Sequence, residues 1–319
     1  MMKKFVVKMA AFIFILLVVS TLLQLAISYR IKNRTTTGHD NFHIIRGEKN
    51  DIVFLGSSRC LEHYDPRIFE DSLGIKAINL GVNGHSDMTM QIMRLQYYLV
   101  RNAPPKVAVL NFDPMTVPGA YSIDKNVFFI EKNYFSRYAF LPQNEDDLIA
   151  RYFRFNLAER YIPLYALMRY KLVYDCIRMN RLDAWVRVGY EKHDESWDTL
   201  GNPPNRKLFF DYYSFFKDRE NNDTIKARLQ VMRQLCDDHH IKLVCVQTPV
   251  NKAIYEKEAF DLPAKMCADL GITFIDIDEE SIRNDMHNFA NANHMNTKGV
   301  QATMKLLVKN KDIIAALKN

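Results

Sequence analysis

Three short segments carry residue types that could do acyl chemistry together. In the first, four apolar residues, Ile52 to Leu55, run into Gly56-Ser57-Ser58. A serine there, with its hydroxyl and amide at the start of a helix, can act as a nucleophile. The competing reading is a helix cap, a position that serine favours. The second segment is Asn79-Leu80-Gly81-Val82-Asn83-Gly84. Glycine lets a backbone N–H come close to another group, as an oxyanion donor must; a tight turn is the alternative. The third, residues 291–299, holds His294 in a polar loop. An imidazole so placed can be a general base, or merely a surface residue.

Such residues need a scaffold that brings strand ends together. A short apolar run closed by a glycine turn reads as a buried parallel strand, so 52–55 is the first strand. Asp65-Pro66 opens a helix through about 72, since proline is tolerated in a first turn. Residues 77–80 give a second strand, 87–100 a helix, and Pro104-Pro105 a stop before a third strand at 107–112. Order resumes with a helix at 224–239, a strand at 241–246, a helix at 259–270, a strand at 273–277 and a helix at 297–306. This alternation predicts an α/β fold of three layers around a five-stranded parallel, flavodoxin-like sheet. Reactive groups of such sheets gather at the carboxyl ends of the strands.

Between the halves lies an insertion, residues 114–222, crowded with aromatics that include Phe128, Phe129, Tyr134, Trp185, Trp197, Phe209 and Tyr212. Arginines such as Arg151, Arg154 and Arg160 are interleaved with them. Helical spacing extends over 148–187, and Gly201-Asn202-Pro203-Pro204 is a loop. One reading is a cap that holds a sugar or a lipid-linked substrate on aromatic faces; the other is that the rings fill the insertion's own core.

The 319 residues, 48% hydrophobic and 25% charged, suffice for a full core. The net charge of +6 is spread along the chain with no basic run, so nucleic acid is not an expected partner. Cys60, Cys176, Cys236, Cys245 and Cys267 form no close pair and no metal-ligand spacing. Neither a disulfide framework nor a metal or organic cofactor is expected.

At the N-terminus, Lys3, Lys4 and Lys8 precede an uncharged stretch from 9 to 28. Twenty such residues in a helix match the hydrocarbon thickness of a bilayer. A cleaved signal peptide competes, with Ala26 and Ser28 as small residues near a cleavage site. The stretch is longer than the usual signal-peptide core, which favours an uncleaved anchor. The expected organisation is a cytoplasmic tip and anchor (1–30), a polar linker (31–50) and an extracytoplasmic domain (51–319) with its insertion.

In this order and on this pattern, the three segments resemble the SGNH (GDSL-like) hydrolase superfamily, over residues 51–113 and 223–306. The resemblance implies that Ser58 is the nucleophile, that the N–H groups of Ser58 and Gly84 form the oxyanion hole, and that His294 is the base. The membrane span and the Gly-Ser-Ser block are similar to the exported branch that acylates envelope polymers, such as the D-alanyl transfer protein and alginate-type O-acetyltransferases. Implied partners are an envelope glycan, the bilayer through residues 9–28, and a membrane-bound acyl-donor protein.

Two positions depart from the family pattern. Asn291 stands where the family has the aspartate of its triad. A neutral amide orients imidazole but does not stabilise imidazolium, and in a serine protease the equivalent change costs about 10⁴ in turnover. Asp276, Asp285 or a backbone carbonyl could serve instead. Asp113 stands where the family has a third oxyanion donor, asparagine, and an ionised carboxylate only accepts. Asn83 or Asn111 could substitute, or Asp113 could point away and hold a loop. Two functions are therefore carried forward: an extracytoplasmic serine esterase or O-acyltransferase, and a catalytically weak or inactive glycan- or partner-binding protein of the same fold.

Overall fold

Strands that are apolar along their whole length, rather than at alternate positions, must be covered on both faces. Five strands are present, of which β1 is apolar throughout and β3 and β4 have apolar centres: β1 (Ile52–Leu55), β2 (Ala77–Asn79), β3 (Val107–Asn111), β4 (Lys242–Gln247) and β5 (Thr273–Asp276). They pair in parallel in the order β2-β1-β3-β4-β5, the flavodoxin-like order that the alternation predicts. The coordinates are a computed structural model, and they describe residues 2–32, 49–84, 87–119, 139–140, 148, 152, 155–169 and 188–318. Most of the expected linker and of the insertion before residue 188, with Cys176 and Trp185, lies outside the described residues.

The principal helices are α1 (Met2–Lys32), α2 (Ser58–His63), α3 (Pro66–Leu73), α4 (Met88–Arg101), α5 (Arg206–Lys217), α6 (Arg219–Asp238), α7 (Lys257–Asp269), α8 (Thr297–Leu307) and α9 (Lys311–Lys318). Asp65 and Asp87 cap α3 and α4 by accepting from the Arg67 and Met90 amides. The described residues fall into two compact units, one from the ranges 1–36 and 126–182, the other from 37–125 and 183–319.

In the first unit, α1 is long and apolar enough to cross a membrane, with a mean hydropathy of 2.6 and most of its side chains exposed. Gln24 and Ser28 are buried. A buried amide needs partners, and Gln24 Oε1 accepts from the Leu164 N–H at 3.0 Å while its Nε2 donates to Ser28 Oγ at 3.3 Å. Leu164 lies between two short helices, Leu157–Tyr161 and Tyr165–Arg169. Buried Glu159 closes a capping box with Asn156 and pairs with Arg169 at 3.0 Å.

The second unit holds the sheet. Ile52, Phe54, Val107, Val109, Val244 and Val246 share one core with Phe69 of α3, Phe260 of α7, Met304 of α8 and Ile313 of α9. The alternate residues Val53, Leu55, Ala108, Leu110, Leu243 and Cys245 are as deeply buried and point the other way. On that side α4 packs against β1 and α6, and α6 against β4. Each large apolar side chain so buried contributes about 1.5–3 kcal/mol. The four described cysteines, Cys60, Cys236, Cys245 and Cys267, are buried free thiols.

Two helices were not evident in the sequence. The adjacent ring pairs Phe209-Phe210 and Tyr212-Tyr213 blur the helical period of α5, of which only Tyr213 and Phe216 are buried. Short α9 follows α8 after a break at Asn310, whose side chain accepts from the Asp312 amide.

Leu55, Leu110 and Cys245 sit side by side in the register, so β1, β3 and β4 end together. At this edge the chain turns from β1 into α2 through Gly56, at φ 153°. A β-carbon there would lie 2.6 Å from that of Cys60 and 3.0 Å from that of Asn111. Glycine is required by both conformation and space. Gly56→Ala is expected to cost about 2 kcal/mol or more, from strain and overpacking, read as a lowered urea midpoint with an unchanged slope.

Candidate active site

The turn after β1 divides two tasks between two serines. Ser57 is the N-cap of α2, its Oγ accepting from the Arg59 amide at 3.4 Å. Capping is thereby met, and the next hydroxyl is left for another partner. Ser58 Oγ lies 2.8 Å from His294 Nε2. The sequence pattern alone left open which serine caps.

His294 is presented by a tight loop. Phe289 and Met295 form an antiparallel bridge, and the Ala290 amide donates to the His294 carbonyl at 2.9 Å. Asn291 Oδ1 accepts from the amides of Asn293 (2.9 Å) and His294 (3.0 Å). Its Nδ2 therefore faces the ring, 3.1 Å from Nδ1. The loop is fastened to α2 by the Met295 amide, which donates to His63 Nε2 at 3.0 Å.

Beneath the loop a polar network joins the strand ends. His63 Nε2 is an acceptor, so its Nδ1–H donates, to Thr248 Oγ1 at 2.9 Å. Thr248 Oγ1 in turn donates to Asn111 Oδ1 at 3.1 Å, which also accepts from the Tyr64 hydroxyl at 3.1 Å. Asn111 Nδ2 donates to Asp113 Oδ2 at 2.7 Å. Arg59, 1% exposed, pairs with that oxygen at 3.2 Å and donates to the carbonyls of Thr248 and Pro249. Burial, then the Arg59 charge, pushes the His63 pKa well down, so this ring is neutral, as its acceptor nitrogen requires.

The expected site residues can now be placed. Ser58, Asn291, His294 and Gly84 line one cavity of about 380 Å³. Asp113 is turned inward to Arg59 and the Met115 amide, and Asn111 is used up within the network. Neither offers a donor to the cavity. Asp276 and Asp285 are also engaged elsewhere: Asp276 accepts from the Asp278 amide, and Asp285 pairs with Lys298 at 2.9 Å.

Among the described residues, the carboxylate nearest the ring is one that the pattern did not single out. Glu62, on α2 one turn beyond Ser58 and 5% exposed, places Oε2 3.7 Å from His294 Nδ1 and 3.1 Å from His193 Nε2. His193 Nδ1 meets Glu195 at 3.1 Å, and its backbone carbonyl accepts from Thr297 at the start of α8. The i, i+4 spacing of Ser58 and Glu62 was the available signal, because it puts both on one face of a helix. Among the described residues no cluster of three His, Cys, Asp or Glu has a geometry for metal.

Hydrogen bonding to Glu62 raises the pKa of His193 to about 9. His294 is shifted the other way, chiefly by burial, and is neutral at pH 7. Two tautomers then compete. The Asn291 amide favours an acceptor at Nδ1, with the proton on Nε2 and donated to Ser58. Glu62 favours the proton on Nδ1, leaving Nε2 to accept from Ser58. Only the second can take the serine proton.

No protein-family model matches the chain, and neither does any curated protein. Among solved structures, one that it resembles is a Bacteroides fragilis protein assigned as an acylhydrolase, at 12% identity and a TM-score of 0.37, covering 87% of this chain and 93% of that one. Another is a GDSL-like lipase from Bacteroides thetaiotaomicron, at 12% identity and a TM-score of 0.35, covering 84% and 87%. Likeness at this level adds nothing to the fold, which rests on strand order, or to the site, which rests on geometry.

Two outcomes are expected. Asp113→Asn leaves the Arg59 guanidinium buried without its countercharge, and such losses cost about 3–5 kcal/mol; chemical denaturation should show it. The His193–Glu62 pair should also make stability pH-dependent. Because the folded pKa of about 9 lies above the unfolded value of about 6.5, the contribution is complete below the lower value. It fades as pH rises through the higher one. Unfolding free energies measured from pH 6 to 10 should decline across that window, and less so in His193→Gln.

Proposed function

We propose that this chain is a membrane-anchored serine esterase or O-acyltransferase, its catalytic unit outside the cytoplasm, acting on acyl esters of an envelope glycan. The observation that carries the reading is the 2.8 Å contact between Ser58 Oγ and His294 Nε2 at the cavity wall. Ser58 Oγ attacks the acyl carbonyl carbon and its proton passes to Nε2. Electrons displaced from the C=O bond collect on oxygen, beside the N–H groups of Ser58 and Gly84. Ser58 is the first residue of α2, where an N–H has no intrahelical partner. The leaving alcohol takes the proton from Nε2, and an acyl-serine remains. Water as the next acceptor completes an esterase cycle; a sugar hydroxyl completes a transfer.

Pro203, Pro204, Leu208, Phe209, Tyr212 and Met115 supply an apolar wall opposite the polar Ser58–His294 edge. That division suits an acyl group or the face of a sugar ring beside a reacting ester. With Asp113 and Asn111 withdrawn, the donor expected at the end of β3 is missing. A missing donor is worth about 3 kcal/mol, so turnover is expected to be slow. Anchoring by α1 is supported by Gln24, whose contact with Leu164 engages the helix with a later part of its own unit. A membrane-bound acyl-donor protein fits a transferase of this kind.

One observation favours the second reading, an inactive binding protein: the Asn291 amide facing Nδ1 supports the tautomer that cannot act as a base. A serine-reactive phosphonate separates the two. Wild-type protein should be labelled at Ser58, Ser58→Ala should not, and Ser57→Ala should retain labelling at a reduced rate. Absence of labelling in folded wild type would leave only the binding protein.

A further inference from the structure

A base that must accept a proton at Nε2 has to carry its own proton on Nδ1, and something must hold it there. The loop residue beside Nδ1, Asn291, does the reverse. Its oxygen is committed to two backbone amides, so only its NH₂ can meet the ring. A carboxylate is needed on that side of His294, and one is there.

We infer that Glu62 stands in for the missing aspartate: from the helix of the nucleophile itself, it is the positioning carboxylate that draws the ring proton of His294 onto Nδ1, with His193 as its counter-ion. The inference rests on the Ser58–His294 reading and names the group that makes it work. Glu62 Oε2 lies 3.7 Å from Nδ1, longer than a hydrogen bond but within ion-pair range, and 3.1 Å from His193 Nε2. A small turn of the Glu62 side chain moves it from one ring towards the other. Burial at 5% exposure keeps water from screening the charge.

When Ser58 Oγ bonds to the acyl carbon, its proton passes to Nε2 and His294 becomes an imidazolium. Glu62 stabilises that charge without taking a proton, and Nε2 then returns a proton to the leaving alkoxide. The other groups around His294 act against this step. Arg59 on α2 and protonated His193 in the segment before α5 disfavour a cationic ring, while Glu195 and Glu191 offset His193, and the His63 ring, edge-on to His294, is neutral. Glu62 is the carboxylate with direct access to Nδ1.

The test measures the phosphonate labelling rate and the ¹⁵N shifts of the His294 ring across a pH titration. In Glu62→Gln, labelling should slow by about a hundredfold, less than the roughly 10⁴ lost with a directly bonded triad carboxylate, because Glu62 stands 3.7 Å from Nδ1. The ring proton should move to Nε2, and the His294 pKa should fall. Asn291→Asp, which supplies a carboxylate from the family position, should restore Glu62→Gln to within about tenfold of the wild-type rate. Should Glu62→Gln not fold, Glu62→Asp replaces it, because the shorter arm draws the charge away from Nδ1; slowing relieved by Asn291→Asp is again expected. Wild-type labelling in a folded Glu62 variant, or loss that Asn291→Asp does not relieve, overturns the inference. The nitrogen shifts keep this outcome separate from failure of the esterase reading. Without labelling in wild type that reading falls, whereas a tautomer unmoved by Glu62→Gln refutes the role of Glu62 on its own.

Discussion

A guanidinium buried at 1% exposure must have its charge answered, and the way Arg59 is answered determines how the strand ends meet. Asp113, after β3, supplies the countercharge, and the carbonyls of Thr248 and Pro249, after β4, accept its protons. One side chain at the second position of α2 thus ties together the ends of β1, β3 and β4. Thr248 extends the tie through His63 to the amide of Met295, next to His294. The 2.8 Å approach of Ser58 to His294 depends on this arrangement, because the two residues are held from beneath by one network.

The same arrangement fixes the orientation of Asp113. An amide at that position would have protons to offer the cavity; a carboxylate is drawn inward by Arg59, and the floor gains an ion pair. A parallel exchange occurs at the histidine, where Asn291 fastens the loop with two backbone hydrogen bonds but presents the wrong end of its amide to Nδ1. At both departures a group that the chemistry wants is spent on holding the backbone.

The scaffold was legible because its signals are local. Apolar runs of four to six residues, closed by glycine, asparagine or proline, marked the strands, and Asp65 and Asp87 marked two helix starts. Ser58, Gly84 and His294 could be named because each belongs to a short motif at a strand or helix edge. Glu62 and His193 could not. Their meaning arises only when the segment before α5 meets α2, and no spacing rule relates residue 193 to residue 62. Asp276 and Asp285 lie near His294 in sequence but are engaged elsewhere, while Glu62, which approaches its ring, is 232 positions away. Helix α5 was obscured for another reason, since paired aromatics read equally well as core or as surface.

Helix α2 is six residues long and none is spare. Ser58 faces His294, Arg59 binds the strand ends, Cys60 and Leu61 fill the core, Glu62 lies between two imidazoles, and His63 holds the loop. Even its backbone is crowded, for a β-carbon on Gly81 would come within 2.4 Å of the Leu61 nitrogen. An alanine scan across this turn and a half would therefore read as uniformly essential and would not separate chemistry from architecture. A substitution tolerated within it has to preserve charge, volume and hydrogen bonding at once.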